Sequence, residues 1–291
     1  MLADAMAWWF HAATFVYLAG VLALVGVGPA ARLAPEAARW APGAAWLFAA
    51  GVLARLGAQV QSAFGEIGIT AERVQLLLTD TPWGHGWLWQ AAAVPVALVT
   101  AAAVRRSPRR WYLVLAAGLA ASAATSLTGH AVALPGQVWI TVTAHTLHVA
   151  AAGLWLGTLA LLLASVGAAW SDPPGAARRQ RLSDAVLRFS MLAVAIVPVL
   201  VGSGLAAAFV HLGEIERLWT TSWGRMLLLK VAVFLAAGAC GAVNWQRIAP
   251  ALAGEDAAEA RLLRVGGLEV TLGVAALVLT SILVALPMPA E

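Results

Sequence analysis

Two histidines three residues apart, His145 and His148, stand near the start of a long apolar stretch of the sequence. On a helix, side chains with this spacing lie on one face about one turn apart, so both rings could bind one metal ion. Imidazole is a ligand that suits copper, zinc, iron and nickel. His130 precedes the short loop before this stretch and can approach from the neighbouring helix. The sequence therefore predicts a metal site formed by His130, His145 and His148, with His85 as an additional candidate ligand.

Histidines near the end of a membrane helix have other roles as well. Each ring could hydrogen-bond to the backbone or to interfacial water without holding a metal. Two histidines on facing helices could instead hold a b-type haem, which would make the protein an electron carrier. A copper-dependent membrane oxidoreductase would need an open coordination position and a substrate cleft. Because the sequence has no nucleophile–base triad, phosphate-binding glycine loop or zinc-finger spacing, we expect a metal-binding membrane protein that is not an enzyme.

The composition of the chain indicates that its surface faces lipid. Hydrophobic residues make up 62% of the 291 residues, and charged residues make up only 11%. A soluble domain carries about 25% charged residues, so the expected surroundings are the lipid bilayer. The net charge of +4 is modest and gives no reason to expect a nucleic acid partner. Cys240 is the single cysteine, which excludes an intrachain disulfide and a thiolate metal cluster.

Apolar runs of about 20 residues predict membrane-spanning helices. The runs are separated by stretches rich in proline, glycine or charge, and their alanine- and glycine-rich interiors suit close helix packing in lipid. The predicted fold is an all-α polytopic bundle of eight transmembrane helices, near residues 6–28, 42–64, 84–104, 111–130, 141–168, 185–210, 223–246 and 263–286.

The basic residues in the connections predict the orientation of this bundle. They concentrate after spans one, three, five and seven, whereas the connections after spans two, four and six contain only Arg73 and Arg217. The positive-inside rule therefore places both termini on the periplasmic side. In this orientation every histidine lies in or near the outer leaflet: His11, His85, His130, His145, His148 and His211. The predicted metal site thus faces the periplasm.

Two similar stretches indicate an internal repeat. Thr81-Pro-Trp-Gly84 begins span three, and Thr221-Ser-Trp-Gly224 begins span seven in the same orientation. Such a pair is expected from a parallel duplication of four helices. We therefore predict an N-terminal half, residues 1–130, and a C-terminal half, residues 131–291, within one integrated membrane domain. The histidines are distributed unequally between the halves, which favours one metal site over two equivalent ones.

Arg55, Lys230 and Glu269 are charged residues placed well inside the predicted spans, away from their ends. Charge inside a bilayer is costly, so we expect these side chains to face protein or water. Lys230 on span seven and Glu269 on span eight could form an ion pair, although their estimated depths differ by about two helical turns. A structural ion pair, a lipid-headgroup contact and a proton or ion path are all open interpretations.

Several short motifs occur in order along the second part of the chain: Thr128-Gly-His130, His145-x-x-His148, Trp155-x-Gly157, Arg188-Phe-Ser190, Thr221-Ser-Trp-Gly-Arg225 followed by Leu-Leu-Leu-Lys230, and Leu268-Glu269. Together they resemble the copper resistance protein D (CopD) family, best over residues 125–287. The resemblance implies an inner-membrane protein of copper homeostasis that moves copper across this membrane. It places the family's histidines on His130, His145 and His148. It also implies a separate periplasmic copper-binding partner of the CopC type, since no such β-domain is fused here.

The residues themselves predict an outer copper site more clearly than a path through the membrane. A copper path should offer soft ligands spaced through the bilayer. The inner half offers only Cys240 and Met191 as soft side chains and has no histidine. The oxidation state of the copper ion and assembly into a homo-oligomer are left open by the sequence.

Overall fold

The computed structural model describes residues 2–128, 138–168, 170, 173, 175–255 and 257–287 of the chain. Within these ranges no β-strand occurs, and eight helical segments are long and apolar enough to cross a membrane. The segments are Trp8–Leu33, Pro35–Phe64, Pro82–Arg106, Pro108–Thr128, Val138–Ala168, Ala176–Leu212, Ser222–Ala251 and Ala257–Leu283. The predicted all-α bundle of eight spans is therefore confirmed, whereas its orientation in the membrane stays a prediction.

The helices in the described residues are α1 (Leu2–Leu33), α2 (Ala41–Phe64), α3 (Ala71–Asp80), α4 (Pro82–Arg106), α5 (Trp111–Thr125), α6 (Val138–Ala152), α7 (Thr158–Ala168), α8 (Ala176–Leu212), α9 (Arg217–Thr220), α10 (Ser222–Val243), α11 (Ala249–Ala251) and α12 (Ala257–Leu283). A 3₁₀ turn, Ser126–Thr128, extends α5. Two π-helical turns interrupt longer spans: Gly153–Gly157 joins α6 to α7, and Asn244–Ile248 joins α10 to α11.

Two elements differ from the sequence-based prediction. Helix α8 begins at Ala176, nine residues before the predicted start of span six, and its first turns contain Arg178, Arg179 and Arg181. Arginine is a good helix former, so the helix continues beyond the apolar stretch that marks the membrane. Helix α3 was not predicted, because its ten residues are too short and too polar to resemble a span. It lies between spans two and three and packs on α4.

Helix α1 is the central element of the bundle. It packs against α2, α5, α7, α12 and the first π turn, and so contacts helices of both predicted halves. Small residues permit this close approach, because a Cβ atom on Gly26 or on Gly157 would overlap the backbone of the opposite span. Helices α8 and α10 lie at the edge of the bundle, where Met191, Phe209 and Leu235 are exposed, as expected for lipid-facing side chains.

The two stretches that indicated a repeat form the same local structure. Thr81 and Thr221 are the N-cap residues of α4 and α10, and each hydroxyl oxygen accepts a hydrogen bond of 3.0 Å from the backbone N–H of Gly84 or Gly224. Each hydroxyl also donates a bond of 2.6 Å to the carbonyl four residues earlier, in the short helix that precedes the span. The similarity is thus structural at these two helix starts, while duplication of whole halves stays a prediction.

Candidate metal site

Helix α6 carries both histidines of the predicted pair, and a neighbouring span holds the first ring. The Nδ1 atom of His145 lies 3.2 Å from the hydroxyl of Ser126, in the 3₁₀ turn that ends span four. Ser126 is fully buried, and its hydroxyl also pairs with that of Thr146 at 2.9 Å. Because Ser126 cannot move freely, this contact fixes the direction of the His145 ring.

The second ring is held by α8. The Nδ1 atom of His148 lies 3.0 Å from the carbonyl oxygen of Leu200. A carbonyl can only accept, so Nδ1 carries the proton and the Nε2 atom keeps its lone pair. Gly204 makes the contact possible, since a Cβ atom there would lie 3.1 Å from Cε1 of His148. Metal-binding histidines commonly donate their other ring N–H to a backbone carbonyl in this way.

Both rings therefore use Nδ1 in contacts with the protein and leave Nε2 as the atom that could bind a metal. No hydrogen bond to either Nε2 atom occurs within the described ranges. His145 and His148 are three residues apart on α6, so their side chains lie on one face of the helix about one turn apart. The pair can supply two nitrogen ligands to one ion, and further ligands would have to come from elsewhere.

His130, the predicted third ligand, lies outside the described residues. The first described range, residues 2–128, ends at Thr128, two residues after the Ser126 whose hydroxyl contacts His145. Thr128 is itself held firmly, because its hydroxyl oxygen accepts from Gln90 at 2.8 Å and from Arg55 at 3.0 Å. The end of span four is thus anchored next to the histidine pair.

The remaining candidate, His85, has a different partner. Its ring is exposed at the start of α4, and Nε2 lies 2.6 Å from the carbonyl oxygen of Thr79, to which it must donate. No three His, Cys, Asp or Glu side chains in the described part of the chain are close enough together to hold a metal ion. The structure therefore brings His145 and His148 together, and it does not add His85 to them.

A buried polar network beside the pair includes residues that the sequence analysis did not single out. Arg55 lies over the ring of Tyr17 at 4.7 Å and donates to the side-chain oxygen of Gln90 at 3.4 Å. Gln90 is 0% exposed, and Tyr17 pairs with the hydroxyl of Thr125 at 2.8 Å. Arg55 faces protein, as predicted. A glutamine inside an apolar span was the signal that could have indicated this network.

The other two buried charges are not paired with each other. The carboxylate of Glu269 accepts hydrogen bonds from Trp155 and Asn244, and no ion pair to Lys230 occurs within the described ranges. The Lys230–Glu269 ion pair, one of the interpretations that the sequence left open, is therefore not formed, in keeping with the difference in depth estimated from the sequence.

Comparisons with known proteins agree with this membrane architecture. The family described as "Copper resistance protein D" matches residues 183–283, and the family "Copper resistance protein D-like, N-terminal domain" matches residues 3–139. His145 and His148 lie between the two matched ranges. No solved structure matches the chain.

Two relatives with curated names are similar to most of the chain. "Copper transport protein CutJ" of Bacillus subtilis (strain 168) is 27% identical over 74% of this chain and 38% of its own length. "Inner membrane protein YebZ" of Escherichia coli (strain K12) is 29% identical over 71% of this chain and 69% of its own length. The chain thus spans well under half of the Bacillus protein. The two matched families together cover residues 3–139 and 183–283, which include most of the eight spans. The chain therefore belongs to the copper resistance protein D family.

Proposed function

We propose that this protein binds copper near the periplasmic face of the bacterial inner membrane and moves it across that membrane. His145 and His148 are the ligands for which the structure offers a basis, and His130 is the proposed third ligand. The names of the two relatives support this proposal, since one is a copper transport protein and the other an inner membrane protein. A separate periplasmic copper-binding protein of the CopC type is the proposed partner.

The hydrogen bond from His148 to Leu200 is the observation that carries the proposal. It fixes the ring, places its proton on Nδ1 and leaves Nε2 as a ligand atom. His145 presents its ring one turn away with Nδ1 similarly engaged. Two residues of chain span at most about 7 Å, which is why His130, two residues beyond Thr128, stays the preferred third ligand.

Copper is favoured over haem b by the position of the two free Nε2 atoms. Haem in a helical bundle is held between histidines of facing helices. In the described residues both atoms belong to one helix, and His85 is engaged with Thr79. A single ion bound to two rings on one face fits this arrangement better than a macrocycle.

Element-resolved mass spectrometry of the copper-loaded, detergent-purified protein tests the site. We expect His145→Ala/His148→Ala to hold about one copper per chain fewer than wild type, because both proposed nitrogen ligands are removed. His11→Ala is the matched control, since Nδ1 of His11 also bonds to a backbone carbonyl, that of Ser281, at 3.0 Å. We expect His11→Ala and His85→Ala to keep their copper.

Copper uptake into vesicles tests the transport step with the same variants. Uptake should fall in the double variant and persist in His11→Ala. Unchanged copper content and uptake in the double variant would remove the basis of the proposal. Stoichiometric iron together with a Soret absorption band would mean that the protein binds haem b rather than copper.

A further inference from the structure

Glu269 is a buried carboxyl group in the middle of a membrane span. It lies near the centre of α12, the residue is 3% exposed, and no ion pair to it occurs in the described part of the chain. A carboxylate in a low-dielectric interior is costly unless a proton or a cation neutralises it. The contacts of Glu269 indicate which of the two it holds.

Each oxygen of this carboxyl group accepts one hydrogen bond from a different span. The indole N–H of Trp155 donates to Oε1 at 3.1 Å, and the amide N–H of Asn244 donates to Oε2 at 3.1 Å. Gly241 brings the backbone of α10 close, since a Cβ atom there would lie 3.1 Å from Oε1. A hard metal ion would need about six oxygen ligands. Two N–H donors instead repel a cation, so these contacts favour a proton over a metal ion.

Both donors stand on the π turns described above. Trp155 belongs to Gly153–Gly157, and Asn244 begins Asn244–Ile248. A π turn departs from the regular helical hydrogen-bond register and occurs frequently at functional sites. Phe234 packs edge-on against the Trp155 ring, with centroids 5.6 Å apart, and so fixes the direction of the indole. Two separate spans thus adopt an unusual geometry at the same carboxyl group, as expected if this group has a role beyond packing.

The amide of Asn244 can serve both protonation states of Glu269. An ionised carboxylate only accepts hydrogen bonds, whereas a protonated one also donates one through its O–H. Among the described residues, Nδ2 of Asn244 donates to Glu269, and the buried Oδ1 atom of Asn244 has no hydrogen-bond partner. Half a turn of the amide would exchange these two atoms and let Oδ1 accept the O–H of the acid. Trp155 can donate to the other oxygen in both states.

Few other titratable groups lie near this level of the bundle. In the elements that contact α12, residues 18–31 of α1, helices α7 and α11 and the first π turn contain none. Helix α10 carries Lys230, about 16 Å along its axis from Gly241, and Cys240, whose thiol is uncharged when protonated. The nearest arginines on the second π turn and on α12 itself are exposed: Arg247 and Arg264. A proton is therefore the neutralising partner that the surroundings of Glu269 leave open.

We propose that Glu269 binds and releases one proton within the membrane, and that this proton is exchanged for copper during transport. On release the O–H bond of the acid breaks, its electron pair stays on the carboxylate, and the proton passes to water. The negative charge left behind compensates one positive charge of a copper ion that passes through the bundle. Intramembrane acids commonly take part in proton transfer in pumps and transporters. The exchange rests on the proposed copper function, whereas proton binding rests on the contacts of the carboxyl group.

Infrared difference spectroscopy of the full-length protein in proteoliposomes tests proton binding. A protonated carboxylic acid has a C=O stretching band that a carboxylate lacks. We expect wild type to gain such a band reversibly as the pH is lowered, and Glu269→Gln, which is nearly isosteric but cannot take up the proton, to lack it. Glu259→Gln is the matched control, because it makes the same change on the same helix at an ion pair with Arg178, and it should keep the band that Glu269→Gln loses. If wild type and Glu269→Gln differ by no band, or by a band of constant height at every pH, proton binding is overturned.

Copper uptake into proteoliposomes that contain a pH-sensitive dye tests the exchange. We expect copper that enters the lumen of wild-type vesicles to make the lumen more alkaline. Glu269→Gln should keep the copper held by His145 and His148, measured by element-resolved mass spectrometry, but give no alkaline shift. Copper uptake by wild type without this shift overturns the exchange, while the proposed function stands. If wild type takes up no copper although its infrared band titrates, the proposed function fails and the proton site stands.

Discussion

At the scale of single residues, the direction of the His148 ring depends on the absence of a side chain on α8. The ring reaches the Leu200 carbonyl across the position of Gly204, where a Cβ atom would lie 3.1 Å from Cε1 and 3.2 Å from Nδ1 of His148. We expect Gly204→Val to displace the ring and weaken copper binding at the outer site about tenfold, since loss of an orienting contact typically costs 10–100-fold in metal affinity. Competition with a copper chelator measures this change.

Gly202 supplies the control for this substitution. It lies on the same helix two residues away, and no atom lies within 4 Å of a Cβ built there. Gly202→Val therefore makes the same change in helix propensity without touching His148. Equal copper affinity in the two variants would show that the bond between His148 and Leu200 does not orient a ligand.

The sequence was sufficient to predict that His145 and His148 share a face, because this follows from helical geometry alone. It could not predict which groups anchor their rings. Ser126 and Leu200 reach them from two other spans, whose rotation about their axes is not determined by hydropathy. The partners of Glu269 could not be predicted for the same reason: opposite charge points to Lys230, whereas the hydrogen bonds come from Trp155 and Asn244.

At the scale of helices, the two threonine caps test whether the repeated stretches have equal roles. Thr81 and Thr221 each accept a 3.0 Å bond from the N–H group three residues on. Replacing an N-cap threonine by alanine typically costs about 1 kcal/mol. We expect Thr81→Ala and Thr221→Ala to lower the free energy of unfolding by similar amounts, because each removes the same capping bond. Thermal unfolding in detergent gives the comparison.

Thr271→Ala provides the reference for loss of a threonine hydroxyl elsewhere. Thr271 is exposed on α12, and its hydroxyl donates to the carbonyl of Gly267 within its own helix, at 2.9 Å, with no other hydrogen bond to the described residues. Its removal should leave stability almost unchanged, since that carbonyl is already used in the helix. A loss as large as in the cap variants would mean that the caps contribute nothing specific.

The spans themselves were predictable from apolar length, but their internal geometry was not. Hydropathy counts residues and is insensitive to hydrogen-bond register, so the π turns at Gly153–Gly157 and Asn244–Ile248 had no signal in the sequence. Helix α3 was missed because its polar and apolar residues alternate around a short surface helix rather than forming an apolar run. The two π turns carry Trp155 and Asn244, which donate to Glu269. Helix α3 supplies the Leu77 carbonyl to which the Thr81 hydroxyl donates at the start of α4.

At the scale of the whole molecule, the two predicted halves are connected through shared contacts. Helix α1 packs against α12 of the second half as well as α2 and α5 of the first. A polar connection also runs from Arg55 on α2 to Thr128, and the adjacent Ser126 contacts His145 on α6. The histidine pair therefore belongs to the predicted C-terminal half in sequence, but it is positioned by a side chain of the predicted N-terminal half, Ser126, and by a backbone carbonyl of its own half, Leu200.

The orientation of the bundle decides which compartment delivers copper to the histidine pair. Basic connections predict a periplasmic C-terminus, and Arg105, Arg106, Arg109 and Arg110 place the connection between α4 and α5 in the cytoplasm. We expect full-length chains fused at the C-terminus to give active alkaline phosphatase, which matures only in the periplasm, and to give no fluorescence with green fluorescent protein. Reporters inserted at Ser107 should show the reverse pattern and serve as the control. The opposite result at both positions would mean that His145 and His148 face the cytoplasm. The same ligands would then bind copper from inside the cell, and the proposed periplasmic position of the site would be wrong.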